Sequence, residues 1–327
     1  MSIRKPGRRR LLAVAATLAF GAAMLPAAAQ TVWPTQTVKI LVGFPGGSTP
    51  DIAARALAEP LSRLWGQPVI VENRAGAGGN VAADAVAKST DEHTLGVVIN
   101  GNLTTAHLLN PRLPYDPTKD FALLTLVGTA PLVLVTPPSV PSGAAWAAAA
   151  RAAADKLSYG SVGVGSVGHL GMEQLKAAVG NVGGVHVPYK GNPAVITALI
   201  GGEIQAALMP PGLALPQAKA GKLNAVALAG PRSTLAPEVP ALSEVGVNMP
   251  PLEVWTALVG PATLSRAAQE RLSRDIASLF QDAAVRQALL NGGWEPQGTG
   301  AATLAARVRS ETQTFGNIIR ERGIKLE

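Results

Sequence analysis

Short, almost wholly apolar runs alternate with stretches of helical spacing along the first third of the chain. VKILVGF (38–44), PVIVEN (68–73) and TLGVVIN (94–100) are apolar at nearly every position, as strands buried on both faces are. Residues 51–64 and 80–88 between them carry helical spacing. The resulting βαβαβ order predicts a parallel sheet covered by helices. PLVLVTPPSVP (131–141) then breaks the rhythm with prolines around a short strand, as a crossover between domains does. A second series follows, with strands at 156–162, 185–189, 204–209 and 224–230 and helices between them, the first spanning about 169–179. A proline-spaced segment (230–253) leads into the strand VWTALVG (254–260). The tail from Ser265 to Arg322 reads as mostly helical, with Leu272, Ile276 and Leu279 on one face.

Two α/β units joined by extended, proline-bearing segments predict a two-lobed protein with an interdomain cleft. The expected division is a discontinuous first lobe, 30–130 plus 252–327, and a second lobe, 131–251. Ligands of such sheets lie beyond the carboxyl ends of the strands. Both lobes place a glycine-rich loop there. In GFPGGSTPDIAAR (43–55) the strand ends near Phe44, Gly46 and Gly47 permit a tight turn, and Thr49 with Pro50 reads as a helix cap followed by proline at the first helical position. The N–H groups of Gly47, Ser48 and Thr49 are then expected beside a helix N-terminus, where partial positive charge and unpaired donors suit a carboxylate or phosphate. SYGSVGVGSVGHLGMEQL (158–175) repeats the device through Gly163, Gly165, Ser166 and Gly168 into a helix near His169. Either loop alone reads first as an ordinary βα turn. Two facing each other across one cleft read as a clasp for an anion. Asp51, in the first turn, is expected to point away from that anion or else to meet a ligand amine, and Phe44 to cover the ligand's apolar part or join the core.

The net charge of +7 suggests nucleic acid or an acidic membrane until it is located. Arg4, Lys5, Arg8, Arg9 and Arg10 supply five of the 28 basic residues, leaving 23 against 21 acidic, close to neutral. Those arginines precede the apolar run LLAVAATLAFGAAML and Ala27-Ala28-Ala29, the pattern of an export signal cut before Gln30. The run is shorter than a spanning helix needs, and GRRRLLA also fits the twin-arginine route. With no cysteine there is no disulfide framework, thiol nucleophile or cysteine metal site. A soluble, exported protein follows, with no cofactor and no nucleic-acid partner.

Gly163, Gly165 and Gly168 fit GxGxxG literally, but the next strand end, VHVPYKG, lacks the acidic residue a dinucleotide ribose requires. No GxSxG elbow, HExxH motif or P-loop lysine motif occurs, and the four histidines have no metal-ligand spacing. His169 and Glu173 read as an i,i+4 contact and His186 as a packed or edge histidine. A hydrolase would have to use Ser48 or Ser166, and only Ser166 has a histidine, His169, nearby in sequence.

Several stretches together resemble the solute-binding proteins of tripartite tricarboxylate transporters, the Bug (Bordetella uptake) family. They are GFPGGSTPDIAAR, GQPVIVENRAGAGGNVAADAVAK (66–88), LPYDPTKDFALLTLVGTAPLVLV (113–135), HVPYKG (186–191), AGKLNAVAL (220–228) and WTALVGPA (255–262), covering essentially the whole mature chain. The resemblance implies a periplasmic protein with a two-lobed, type II-like periplasmic-binding-protein fold that closes by hinge motion. It also implies a small carboxylate held by backbone amides at loops matching 46–49 and 163–168, with a third contact region at Asn100 to Thr104, and delivery to membrane permease subunits. The expected anion contacts are Gly46, Gly47, Ser48, Thr49, Gly165, Ser166 and Gly168, with Phe44, Asn100, Asn102 and Tyr189 around the ligand. The protein is expected to be a monomer and no enzyme; docking on a sensor kinase instead of a permease is the alternative partner. LMPPG (208–212) stands where many members read Met-Phe-Asp-Asn, and DEHT (91–94) where many read Asp-Gly-Tyr-Thr. With Phe44, LMPPG tilts the expectation toward a less polar or monocarboxylate ligand. Pro60 is expected to bend or shorten the first helix.

Overall fold

The computed structural model describes residues 33–325; the expected export signal, residues 1–29, lies outside them. In chain order the first lobe is β1 (Val38–Val42), α1 (Thr49–Trp65), β2 (Val69–Asn73), α2 (Asn80–Ala87), β3 (Thr94–Ile99), the one-turn helices α3 (Asn100–Leu103) and α4 (Ala106–Leu109), and β4 (Phe121–Pro131). The chain then builds β5 (Val133–Thr136), α5 (Ala145–Ala153), β6 (Ser158–Ser161), α6 (Val167–Ala178), β7 (Val185–Pro188), α7 (Asn192–Ile200), β8 (Ala206–Met209), α8 (Pro211–Lys219) and β9 (Asn224–Leu228). It returns through β10 (Glu253–Pro261), α9 (Arg266–Leu279), α10 (Ala283–Asn291), β11 (Glu295–Gly300) and α11 (Ala301–Arg322). Among the described residues no helix is long and apolar enough to cross a membrane.

Two sheets result, ordered β11-β4-β10-β3-β1-β2 and β7-β6-β8-β5-β9. Each has a parallel core, β2-β1-β3 and β7-β6-β8, as the βαβαβ order predicts for the first, and each adds antiparallel strands. β10 runs antiparallel to β3 and β4, and β5 antiparallel to β8 and β9. The apolar runs of β3 and β10 reflect burial on both faces, which an antiparallel strand at the centre of a covered sheet shares. On one face of the first sheet Ile40, Val42, Leu95 and Val97 pack against Leu57, Leu61 and Ile276; on the other Leu41, Val98 and Trp255 meet Val86 and Leu304. In the second lobe Leu134, Tyr159 and Leu208 pack with Leu170 and Leu175, and Val133, Val135 and Met209 with Val195 and Leu199.

Two antiparallel crossings join the lobes. Ala229 donates its N–H to Leu132 O and Leu252 to Ala229 O, both at 2.8 Å, tying the crossings together. α11 makes a third connection: Leu304 and Val308 sit in the first lobe's core, whereas Phe315, Ile318 and Ile319 sit in the second lobe's. Helix α1 begins at Thr49 with Ser48 as its cap, one residue earlier than the sequence suggests, and Pro50 is its second residue. Pro60 does not shorten it, since the helix runs on to Trp65 and ends on left-handed Gly66.

Candidate functional site

The carboxyl ends of β1 and β3 in the first lobe face those of β6 and β8 in the second around a cavity of about 40 Å³. That is room for little more than water, so the two lobes stand closed. Four helices of two turns or more start at its wall. Ser48, Thr49 and Pro50 belong to the start of α1, Ser166, Val167 and Gly168 to α6, Asn192 to α7 and Pro210 to α8. Helix starts concentrate unpaired N–H groups and partial positive charge. Among the described residues no Asp, Glu, Lys or Arg lines the cavity, so its positive polarity comes from the helix starts and not from a charged side chain.

The two glycine loops share a construction that neither loop shows alone. Each reads Gly-Ser-x-x followed by a polar residue, GSTPD at 47–51 and GSVGH at 165–169. In each the glycine N–H donates to the side chain four residues on, Gly47 to Asp51 Oδ2 at 2.9 Å and Gly165 to His169 Nδ1 at 3.0 Å. Both serine N–H groups turn inward as well, Ser48 to Pro45 O and Ser166 to Gly163 O at 3.2 Å. The expected donors Gly47, Ser48 and Gly165 therefore hold their own loops. Among the described residues, the helix-start N–H groups left without an acceptor are those of Thr49 and Asp51 at α1 and Val167 and Gly168 at α6.

Asp51, buried and within 3.1 Å of Arg55 Nε, also accepts from Asn73 Nδ2 at 2.9 Å. Burial works to raise its pKa, but the hydrogen bonds from Arg55, Asn73 and Gly47 and the Arg55 charge outweigh it and hold the carboxyl below its ordinary value. Its negative charge is thus turned into the loop and neutralised there. Trp294 Nε1 anchors the same turn by donating to Thr49 O at 2.9 Å.

His169 and His186 stack face to face with ring centroids 3.9 Å apart, and Tyr159 covers His186. Burial, with the nearby positive charges, lowers both rings, His169 to about 4 and His186 to about 3. His169 Nδ1 accepts from Gly165, so the ring is neutral. Ser166 Oγ donates to Gly163 O at 2.7 Å and caps His169 N–H at 3.3 Å. The Ser166–His169 proximity that a hydrolase would need is therefore a helix cap, with the imidazole turned to a backbone amide. Glu173 accepts from Tyr159 and Lys176 rather than from His169.

Phe44, Ser48, Thr49, Asn100, Ser166 and Gly168 line the cavity as expected from the sequence. Five expected residues lie elsewhere. Gly46 and Gly47 are exposed on the outer side of their turn, and Gly165 is engaged by His169 and Thr105. Asn102 accepts from Ile99 N and donates to Gly78 O and Asn80 Oδ1, which makes it a brace of the first lobe. Tyr189 packs against the second lobe's core. Sequence reasoning missed Asn192 and the apolar wall of Ile99, Leu132, Val162, Leu208 and Val254. Their runs read as ordinary strands, and only the Gly-Asn-Pro start of α7 carried a local signal.

Of the seven buried side-chain polar atoms without a hydrogen-bond partner among the described residues, two belong to the cavity wall: Ser48 Oγ and Asn100 Oδ1, on residues that are 1% and 0% exposed. Such atoms cost about 1–3 kcal/mol when left unpaired. Across the cleft, Thr105 Oγ1 donates to Gly165 O at 2.8 Å.

The chain matches the family described as "Tripartite tricarboxylate transporter family receptor" over residues 53–324. It is 32% identical to Protein BugT of Bordetella pertussis (strain Tohama I) over 97% of this chain and 99% of that protein. Among solved structures it is similar to an R. palustris protein with adipate, with a TM-score of 0.85 and 28% identity over 90% of this chain and 99% of the other. It is also similar to MatC from Rhodopseudomonas palustris with bound malate, with a TM-score of 0.81 and 28% identity over 88% of this chain and 100% of the other.

Proposed function

From the premise that the chain belongs to the tripartite tricarboxylate transporter receptor family, we propose that its cleft captures a small organic carboxylate in the periplasm. The closed form is then presented to the membrane permease. It is a binding protein and performs no reaction. The observation that carries this reading is the convergence of four helix starts on one cavity without a charged side chain in its wall. The free N–H groups of Thr49, Val167 and Gly168, all on residues of the cavity wall, can each give a charge-assisted hydrogen bond to a carboxylate, and several together suffice for micromolar affinity. Adipate and malate in the two similar structures are acids of the size such a site takes once its lobes part.

The cavity's volume requires that the lobes separate to admit such an acid. Rotation about Leu132 and Ala229–Leu252 supplies the motion, and the Thr105–Gly165 hydrogen bond closes behind the ligand. Thermal unfolding of the purified protein, unfolded and refolded to strip carried-over ligand, tests the proposal against a panel of mono-, di- and tricarboxylates. One acid class raises the midpoint, because a ligand at 100 times its Kd stabilises the native state by about 2.7 kcal/mol. A well-folded protein whose midpoint no acid raises contradicts it.

A further inference from the structure

We propose that the ligand carries a hydroxyl that donates to Asn100 Oδ1, and that the receptor thereby selects hydroxycarboxylates over the corresponding plain acids. This rests on the carboxylate-receptor reading above and narrows it. Asn100 follows β3 directly, is wholly buried and lines the cavity. Its Nδ2 lies 3.4 Å from Glu253 O and 3.5 Å from Glu311 Oε2. Glu311 is itself fixed, since its Oε2 accepts from Trp255 Nε1 at 2.7 Å and its Oε1 from Arg307 Nε at 2.8 Å. Exchanging the amide's nitrogen and oxygen would set Oδ1 against two acceptors, one of them a carboxylate, so the network fixes the orientation.

What remains is Oδ1, an acceptor with no partner. A carboxylate oxygen cannot satisfy it; only a donor can. An ammonium would need a counter-charge, and the wall holds no carboxylate while several helix starts present positive ends to it. A hydroxyl needs none. The ligand's carboxylate then takes the free N–H groups, its hydroxyl faces Asn100, and Ser48 Oγ, the second unpartnered atom of the wall, donates to or accepts from either group.

Calorimetric titration of the stripped, refolded protein with acid pairs differing by one hydroxyl tests the inference: malate and succinate, lactate and propionate, 2-hydroxyadipate and adipate. In the best-binding pair the hydroxy acid binds at least ~10-fold tighter, because a site built to hydrogen-bond a hydroxyl discriminates against its absence. Asn100→Ala brings that ratio toward one by weakening the hydroxy acid more than the plain acid. Should Asn100→Ala not fold, Glu311→Gln, which lies outside the cavity, releases the Asn100 amide and lowers the same ratio. Equal binding of both members of the best pair by the wild type overturns the inference, and so does a parallel loss for both acids in Asn100→Ala. Failure of every acid to bind the wild type overturns instead the carboxylate reading beneath it.

Discussion

Asp51 stands in the first turn of a helix that faces the cleft, where its own charge would oppose the carboxylate proposed to bind there. The fold turns it inward onto Gly47, Asn73 and Arg55, so the residue that would weaken the site shapes its loop. His169 does the same for the second loop, and only while it is neutral. The pKa shifts of His169 and His186, downward to about 4 and about 3, fix a sign. Above the ordinary histidine pKa of about 6.5 both folded and unfolded rings are neutral, and stability is flat with respect to them. Between about 6.5 and 4 the unfolded chain takes up protons that the folded rings refuse, so stability falls as the pH drops, by up to about 1.4 kcal/mol per pH unit for each ring. Glu173 opposes this shift and Lys176 reinforces it, while Arg322 and Lys325 line the adjoining pocket. The unfolding midpoint, followed from pH 7 to 4, therefore falls in the wild type and falls less steeply in His186→Gln. A curve unchanged by that substitution contradicts the assignment. The sequence made the glycines and serines of both loops legible as turn residues, but not which donors they keep. Gly47 and Gly165 read as anion contacts because the partners four residues on, Asp51 and His169, read as helix residues facing elsewhere.

The elements show where hydrophobic pattern suffices and where it fails. β1, β3 and β8, whose ends help form the cavity, are short apolar runs bounded by turn residues and are legible as strands, whereas β6, SYGS, is half polar. β4 escaped because FALLTLVGTAP runs without interruption into PLVLV, and periodicity does not mark where one lobe's strand ends and the other's begins. β11, EPQGTG, has no strand signal at all; it pairs because β4 would otherwise present an open edge. Pro60 is tolerated in α1 because it and Ala56, whose carbonyl it leaves free, lie on the partly exposed side. Leu57, Leu61 and Trp65 stay buried on either side of it. The same helix ends on Gly66, at φ +64° with open space around it. Gly66→Ala therefore costs about 1 kcal/mol through backbone strain alone, measured by denaturant unfolding, and leaves acid affinity unchanged. At α8, Pro210 and Pro211 remove two N–H groups from the helix start. This is the physical content of LMPPG: a wall that offers the ligand surface rather than donors.

At the scale of the molecule, closure brings backbone against backbone at glycine pairs. Gly163 approaches Gly78, and Gly212 lies so close to Gly292 and Gly293 that a Cβ on it would stand 2.5 Å from Gly292 O. Gly212 belongs to the second lobe and Gly292 to the first. Gly212→Ala therefore leaves each lobe intact and obstructs only their approach. Calorimetry should show acid affinity reduced at least ~10-fold, with the unfolding midpoint of the ligand-free protein within a degree or two of wild type. A midpoint that collapses would place the contact in the lobe's own stability instead. The two-lobed plan was legible from the repeated α/β series and the proline-rich crossings. The bridging role of α11 was not, because its apolar stripe is continuous and carries no mark of where its neighbours change.

If a small carboxylate drives the two lobes closed around it, small-angle X-ray scattering registers the change, on stripped protein alone and with saturating amounts of the acid that most raises the unfolding midpoint. The radius of gyration falls with the acid, and no such contraction occurs in Gly212→Ala under the same conditions. An identical scattering curve with and without a bound acid in the wild type would contradict closure as the basis of capture.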